Sequence, residues 1–279
     1  MIIIIKFNDN IKHKYNSFET ILQLDNYNDI IYINCDDNNL SSLPELPNSL
    51  KHLGCGHNNL SSLPELPNSL KRFGCGHNNL SSLPELPNSL ERLHCSNNNL
   101  SSLPELPNSL EMLWCSNNNL SNLPKLPNSL TNLVCERNKI YSLPELQNSL
   151  IKLVCSYNNL SVLPELPNSL KLLLCSNNNL SSLPELPISL EIFWCRHNKI
   201  SYLPDIPYSI KKFLYFDNPI YIYIKQCFDG DTKKYNEYHN NIKRKFSNKI
   251  GNWFLDCKYN PKYLYCRKRL MKEYEELYG

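Results

Sequence analysis

The fold of this chain is decided by a 20-residue stretch, Ser41–Leu60, which reads SSLPELPNSLKHLGCGHNNL. Nearly the same stretch occurs nine times in succession, from Ser41 to Ile220, and a half unit, Ile30–Leu40, precedes the first copy. A strict period of this length is typical of a solenoid, in which each turn of the chain contacts only its neighbours. The sequence therefore predicts an array of stacked turns.

The second half of each unit carries a strand signal. In the first copy it has the form L-x-x-L-x-C-x-x-N-x-L, running from Leu50 to Leu60. Around Leu53 and Cys55, inward and outward side chains alternate with the period of two that is typical of a β-strand. Each turn should add one short parallel strand. We expect the recurring asparagine, Asn58 in this copy, to bond backbone groups where the chain leaves the strand and to bridge to the next turn.

This pattern resembles the leucine-rich repeat, with cysteine in the third inward position. The rest of the unit contains Leu-Pro-Glu-Leu-Pro, and it is similar to the short bacterial-type repeats of secreted effectors from enteric pathogens. Similar repeats occur in proteins of large amoeba-infecting viruses. The resemblance covers about residues 30–220 and implies a mainly β, leucine-rich-repeat solenoid of about ten turns.

The prolines predict the form of the convex side. Of 19 prolines, 17 occupy the Leu-Pro-x-Leu-Pro positions. Proline fixes φ and disfavours a helical conformation at the preceding residue. We therefore expect an extended, polyproline-like convex wall whose leucines, such as Leu63 and Leu66, form a second wall of the core.

We predict three segments along the chain. Residues 1–29 form an N-terminal cap, in which the apolar run Met1–Ile5 is a strand over the first turn; residues 30–220 form the solenoid; and residues 221–279 form a basic, mostly helical C-terminal cap. The cap should contain one helix from Asp231 to about Ile250 and a second from Asn260. It carries 13 Lys+Arg and 7 Asp+Glu, a net charge of +6, whereas the total of +3 leaves −3 for residues 1–220.

Nine of the 12 cysteines fall in one inward column: Cys35, Cys55, Cys75, Cys95, Cys115, Cys135, Cys155, Cys175 and Cys195. We interpret them as buried free thiols that act as small apolar residues. Their Cβ vectors should run parallel along the stack, which is poor geometry for disulfides, and zinc prefers clustered tetrahedral ligands. We expect no metal and no cofactor. Free thiols indicate a reducing compartment, so we predict a cytoplasmic protein, which includes the cytoplasm of a host cell. No apolar stretch approaches the length of about 20 residues that spans a bilayer.

The central outward position of the strands predicts a binding face. It reads Gly54, Gly74, His94, Trp114, Val134, Val154, Leu174, Trp194 and Leu214. Exposed apolar surface beside aromatic and arginine side chains is typical of protein interfaces. We predict a non-enzymatic scaffold that binds a macromolecular partner through its concave face. We expect this partner to be a protein, which a host could supply. The predicted partner-binding residues are Trp114, Val134, Val154, Tyr157, Leu174, Trp194 and Arg196.

Other interpretations of the same residues stay open. Cross-strand packing alone would also place Trp and Leu on a strand face, and the array could be a spacer without a specific ligand. The tripeptide Cys227-Phe228-Asp229 matches the Cys-x-Asp motif of effector ubiquitin ligases, and a cysteine beside an acid suits thioester transfer.

The basic tail offers a further alternative, binding of nucleic acid or of an anionic membrane surface. Its two basic clusters are Lys243, Arg244, Lys245 and Lys249, and Arg267, Lys268, Arg269 and Lys272. A basic helix face is commonly just solvated. We therefore favour a protein partner over nucleic acid or membrane.

Overall fold

The computed structural model describes residues 1–9, 11–238, 240 and 241. Its parallel strands each span three residues and recur every 20 residues. The elements in chain order are β1 (Ile3–Lys6), β2 (Lys12–Tyr15), α1 (Phe18–Leu22), a 3₁₀ turn (Tyr27–Asp29), β3 (Tyr32–Asn34), β4 (His52–Gly54), β5 (Arg72–Gly74), β6 (Arg92–His94), β7 (Met112–Trp114), β8 (Asn132–Val134), β9 (Lys152–Val154), β10 (Leu172–Leu174), β11 (Ile192–Trp194), β12 (Lys212–Leu214) and α2 (Pro219–Phe228). One compact unit comprises Met1–Tyr223, and a second begins at Ile224.

The strands form one sheet in the order β12-β11-β10-β9-β8-β7-β6-β5-β4-β3-β1-β2. From β3 to β12 all neighbours are parallel, and equivalent residues of successive repeats lie side by side, as Leu53 and Phe73 do. The predicted solenoid of short parallel strands is confirmed. Its strand-side core consists of the middle residue of each strand from β3 to β11 and the cysteine column, in which all nine thiols are free and fully buried.

The convex wall is extended, as the prolines predicted, and has no helix between residues 41 and 218. Each turn returns to its strand through a tight turn closed by a backbone hydrogen bond, for example from Leu70 N to Pro67 O at 3.0 Å. Leu63 and Leu66 are only half-buried, however, whereas Pro67 is buried. The predicted second core wall is therefore incomplete in this repeat, whereas in other repeats it is closed, as at Leu126 and Leu203, which are each 1% exposed.

Two ladders of polar side chains tie successive turns together. Asn58 Nδ2 donates to the carbonyl oxygens of Cys35, Cys55 and Gly56 at 2.8, 3.2 and 3.0 Å. The equivalent asparagines, up to Asn218, repeat this bonding; we call the series the asparagine ladder. The predicted bridge between turns is thus present, and its Nδ2 donation reaches the preceding turn.

The second ladder lies before each strand and was not predicted. Ser69 Oγ lies 2.7 Å from the carbonyl oxygen of Leu50, one turn earlier, and this contact recurs from Ser49 to Ser209. Both entry to and exit from each strand are therefore fixed by side chains that reach the neighbouring turn.

At the N-terminal end, the predicted strand over the first turn is present as β1. It pairs antiparallel with β3, with Ile5 opposite Ile33. Its outer neighbour β2, of sequence KHKY, and helix α1 were not predicted. A polar, lysine-bearing edge strand hinders pairing with another chain.

At the C-terminal end, the apolar run 220–224 lies in helix α2. Pro219 takes the first helical position, where its missing N–H would have no partner in any case. Asp231 caps the next helix as predicted, since its Oδ1 accepts from Lys233 N at 2.8 Å and Lys234 N at 3.2 Å. The remainder of the predicted span up to Ile250, the predicted helix from Asn260 and both basic clusters lie outside the described residues.

Candidate protein-binding face

One surface of the solenoid is formed by the outward side chains of its strands. We define the strand face as the first and third residues of β4–β12 together with the two residues that follow each column cysteine. Strand register places the third residues of adjacent strands next to each other, as with Trp114 and Val134 or Leu174 and Trp194. Every variable outward position therefore becomes a continuous row across the sheet.

Five of the seven predicted partner-binding residues occupy consecutive positions in one such row. We call these residues the apolar row: Trp114, Val134, Val154, Leu174 and Trp194. At about 4.8 Å per strand the row is roughly 19 Å long. Four members are half-buried, but Val154 is only 5% exposed between its neighbours, so its own contact with a partner would be small.

Tyr157 lies beside the apolar row, two residues beyond its column cysteine. It is 41% exposed, and the guanidinium carbon of Arg137 lies 4.5 Å from its ring centroid. Both residues have a left-handed backbone, with φ of 56° and 54°, at a position that other repeats fill with Asn, Asp or His. Left-handed φ in a residue other than glycine is sparsely populated and costs energy. The pair is therefore held in place by the turn geometry.

Arg196 lies beside Trp194, at the C-terminal end of the apolar row. Its guanidinium carbon is 5.5 Å from the ring centroid of Phe216, and the next residue, His197, places Nε2 3.3 Å from Asp217 Oδ2. Trp194 Nε1 and Arg196 Nε are buried without a hydrogen-bond partner in the part of the chain that the structure describes. Sequence reasoning missed these donors, because residue spacing does not show which polar atoms find partners.

The opposite end of the strand face is polar. The rings of His57 and His77 stack at 4.0 Å, and His77 Nε2 lies 3.1 Å from Asn97 Nδ2. Nearby, burial and then the Arg72 charge lower the pKa of His52 below its ordinary value. Within the described ranges no group of three or more His, Cys, Asp or Glu side chains could hold a metal ion.

Comparison with solved structures finds proteins that share this architecture. YopM, a leucine-rich effector protein from Yersinia pestis, matches with 39% identity and a TM-score of 0.61, covering 67% of this chain and 61% of that one. The chain is a leucine-rich-repeat solenoid. YopM from Yersinia enterocolitica WA-314 matches this solenoid with 35% identity and a TM-score of 0.53, covering 66% of this chain and 50% of that one.

The solenoid thus spans between half and two thirds of the length of these two effectors, and its likeness to them supports an effector-type leucine-rich repeat. The functional domain of InlJ from Listeria monocytogenes, which includes a cysteine ladder, shares the fold at 22% identity and a TM-score of 0.52, over 68% of this chain and 49% of that one. No family model and no curated protein matches the sequence. The similarity to viral proteins stays a prediction.

Charge is segregated between the two sides of this leucine-rich-repeat solenoid. The strand face carries six basic residues, Arg72, Arg92, Arg137, Lys152, Arg196 and Lys212, and three acidic residues, Asp36, Asp37 and Glu136. The convex wall carries eight acidic residues, Glu45, Glu65, Glu85, Glu105, Glu145, Glu165, Glu185 and Asp205, and one basic residue, Lys125. The net charges are therefore +3 and −7, and the field of the strand face favours acidic partners.

Cys227 is exposed in the last turn of α2, and Asp229, two residues on, has a left-handed φ of 54°. Among the described residues no hydrogen bond links this thiol to a histidine or a carboxylate. Nothing in this part of the chain activates Cys227 as a nucleophile by a neighbouring base. In the described ranges, no helix has both the length and the apolar character needed to cross a membrane.

Proposed function

We propose that this leucine-rich-repeat protein is a non-enzymatic scaffold that binds a protein partner through its strand face. The observation that carries the proposal is the register of β7–β11, which aligns the outward side chains of the apolar row without a polar interruption. Aromatic and arginine residues dominate the energetics of protein interfaces. Trp114 and Trp194 end the row, and Tyr157 and Arg196 flank it.

The distribution of charge also supports the strand face as the binding surface. The strand face is basic and the convex wall acidic, so a partner with acidic surface is steered to the face that holds the apolar row. Charged side chains around an apolar centre are the usual anatomy of a protein interface.

The proposal is tested by affinity capture with the full chain as bait from the cells in which it is native. The variant Trp114→Ala plus Trp194→Ala should lose the captured partner. A matched control is Ile188→Ala plus Tyr208→Ala, which removes two large apolar side chains that are 84% and 96% exposed on the turn before the strand. Equal recovery with the tryptophan variant and the unchanged protein would show that binding does not use the strand face.

We also propose that the protein works in a reducing compartment, the cytoplasm of its own cell or of a host. Nine fully buried free thiols support this, because such thiols persist where disulfides are kept reduced. Alkylation of total protein in intact cells, followed by denaturation, should find all 12 cysteines reduced. Recovery of the chain with disulfides would contradict the assignment.

A further inference from the structure

One end of the strand face holds a group of buried hydrogen-bond donors. Trp194 Nε1, Arg196 Nε and Asn177 Nδ2 are each buried and have no hydrogen-bond partner among the residues that the structure describes. An indole N–H and a guanidinium N–H can only donate. We call these three residues the donor site.

The three residues belong to two adjacent turns. Asn177 N donates to the carbonyl oxygen of Arg196 at 2.9 Å, and Cys175 N donates to that of Trp194 at 2.8 Å. These backbone bonds hold Asn177 beside Arg196. They also hold the end of strand β11, at Trp194, beside Cys175 of the preceding turn. The donor site is therefore a single patch at one end of the apolar row.

The neighbouring carboxylate does not serve these donors. Asp217, one turn beyond His197, lies 3.3 Å from His197 Nε2. The Arg196 guanidinium instead faces the apolar ring of Phe216. A cation packed on an aromatic ring keeps its N–H groups available for an acceptor from outside.

We propose that the donor site binds a carboxylate side chain of an acidic peptide segment in the partner. Buried donors without acceptors are unfavourable, so a partner that supplies acceptors recovers that free energy on binding. Changes of side-chain rotamer at an interface are common and would let the three donors reach the carboxylate. This inference rests on the proposed function and names the chemistry of the partner.

An acidic peptide fits better than a nucleic acid. The donor site adjoins the apolar row, which can accept the apolar side chains of a peptide but offers nothing to a phosphate backbone. Nucleic-acid affinity comes from many phosphate contacts, whereas the donor site contains one cation, Arg196.

The test is fluorescence anisotropy with the full chain and a labelled peptide in which glutamate and leucine alternate. The matched peptide has glutamine in place of glutamate. Trp194→Phe removes the indole N–H and keeps an aromatic ring, and Arg196→Gln removes the charge. The controls are Tyr208→Phe, which removes the O–H of an aromatic residue that is 96% exposed outside the strand face, and Lys125→Gln, which removes an exposed cation from the convex wall.

The glutamate peptide should bind at least about tenfold more tightly than the glutamine peptide. Trp194→Phe and Arg196→Gln should each weaken it about tenfold, and the controls less than about twofold. Thermal melting verifies that each variant is folded.

Equal affinity for both peptides, no binding of either, or no effect of the two donor-site variants would overturn the inference. So would displacement of the peptide by an oligothymidine that needs the same residues. If these results occur while the double tryptophan variant still loses its captured partner, the scaffold proposal stands and only the acidic-peptide assignment falls.

Discussion

Asn98 Nδ2 lies 3.0 Å from the carbonyl oxygen of Cys75, one full repeat earlier in the chain. The same nitrogen is 3.2 Å from the carbonyl oxygen of Cys95, and the side-chain oxygen accepts from Leu80 N at 3.0 Å. One amide thus satisfies backbone groups of two turns where the chain bends off the strand. Since each repeat contributes such an amide, the asparagine ladder makes the stability of each turn depend on its neighbour.

Asn98→Ala should lower the free energy of unfolding by about 2–4 kcal/mol, because several buried backbone groups lose their partners together. Denaturant titration measures the change. Asn99→Ala, at the adjacent exposed position, is the control and should cost less than about 0.5 kcal/mol. Similar values for the two variants would mean that the ladder does not stabilise the fold.

Two glycines of the strand face should respond differently to an added methyl group. A Cβ at Gly76 would lie 3.1 Å from His94 Cε1 and from the Ser96 carbonyl oxygen, whereas one at Gly74 would meet nothing closer than 3.9 Å. Gly76→Ala should therefore cost about 1–2 kcal/mol through overpacking, and Gly74→Ala should be neutral within about 0.5 kcal/mol. Thermal or denaturant unfolding of the pair tests this, and a more harmful Gly74→Ala would refute it.

The residue before each ladder asparagine has a left-handed backbone, as Asn117 does with φ of 53°. Asn tolerates this conformation, but a β-branched residue does not. Asn117→Val should destabilise the fold by about 1–2 kcal/mol. Asn119→Val, at an exposed position without positive φ, should cost clearly less, and equal losses in denaturant titration would remove backbone strain as the cause.

The cysteine column predicts a loss of stability at high pH. Burial raises the pKa of Cys95 from 9.0 to about 12, so above pH 9 the unfolded chain releases a proton that the folded chain keeps. This contribution is complete below about pH 9 and declines by about 1.4 kcal/mol per pH unit as the pH rises towards 12. Cys95→Ala should make the fall in unfolding free energy with pH shallower by that amount.

Leu93→Ala is the control for the alkaline experiment, because it removes a buried group two residues from Cys95 that does not ionise. It should lower stability equally at each pH. An unchanged pH slope in Cys95→Ala would show that the thiol ionises as readily in the folded as in the unfolded protein.

Much of the fold could be predicted from the sequence because the determining contacts repeat. Leu53, Cys55 and Asn58 recur every 20 residues, and a pattern of that regularity fits only stacked turns that bury the same groups. The ends could not be predicted in the same way. Strand β2 and helix α2 each occur once, so no periodicity marks them.

The sequence predicted which side chains of the candidate site point outward, whereas packing determines how exposed each of them is. Alternation along the strand indicated that Trp114 and Trp194 point outward. It did not indicate that Val154 is nearly covered by its neighbours, or that Leu63 and Leu66 of the convex wall are half-buried whereas Leu126 is fully buried. Such exposures depend on the sizes of side chains one turn away, which alternation within a strand does not encode.

The sequence by itself determined that the turns stack, which side chains face inward and where the chain leaves each strand, because these follow from local period and backbone chemistry. Only the tertiary structure decided that Asp217 lies beside His197, while Trp194, Arg196 and Asn177 keep donors that have no partner among the described residues. Hydrogen-bond pairing depends on distances of a few ångströms between side chains of adjacent turns, and those distances exist only once the turns are packed.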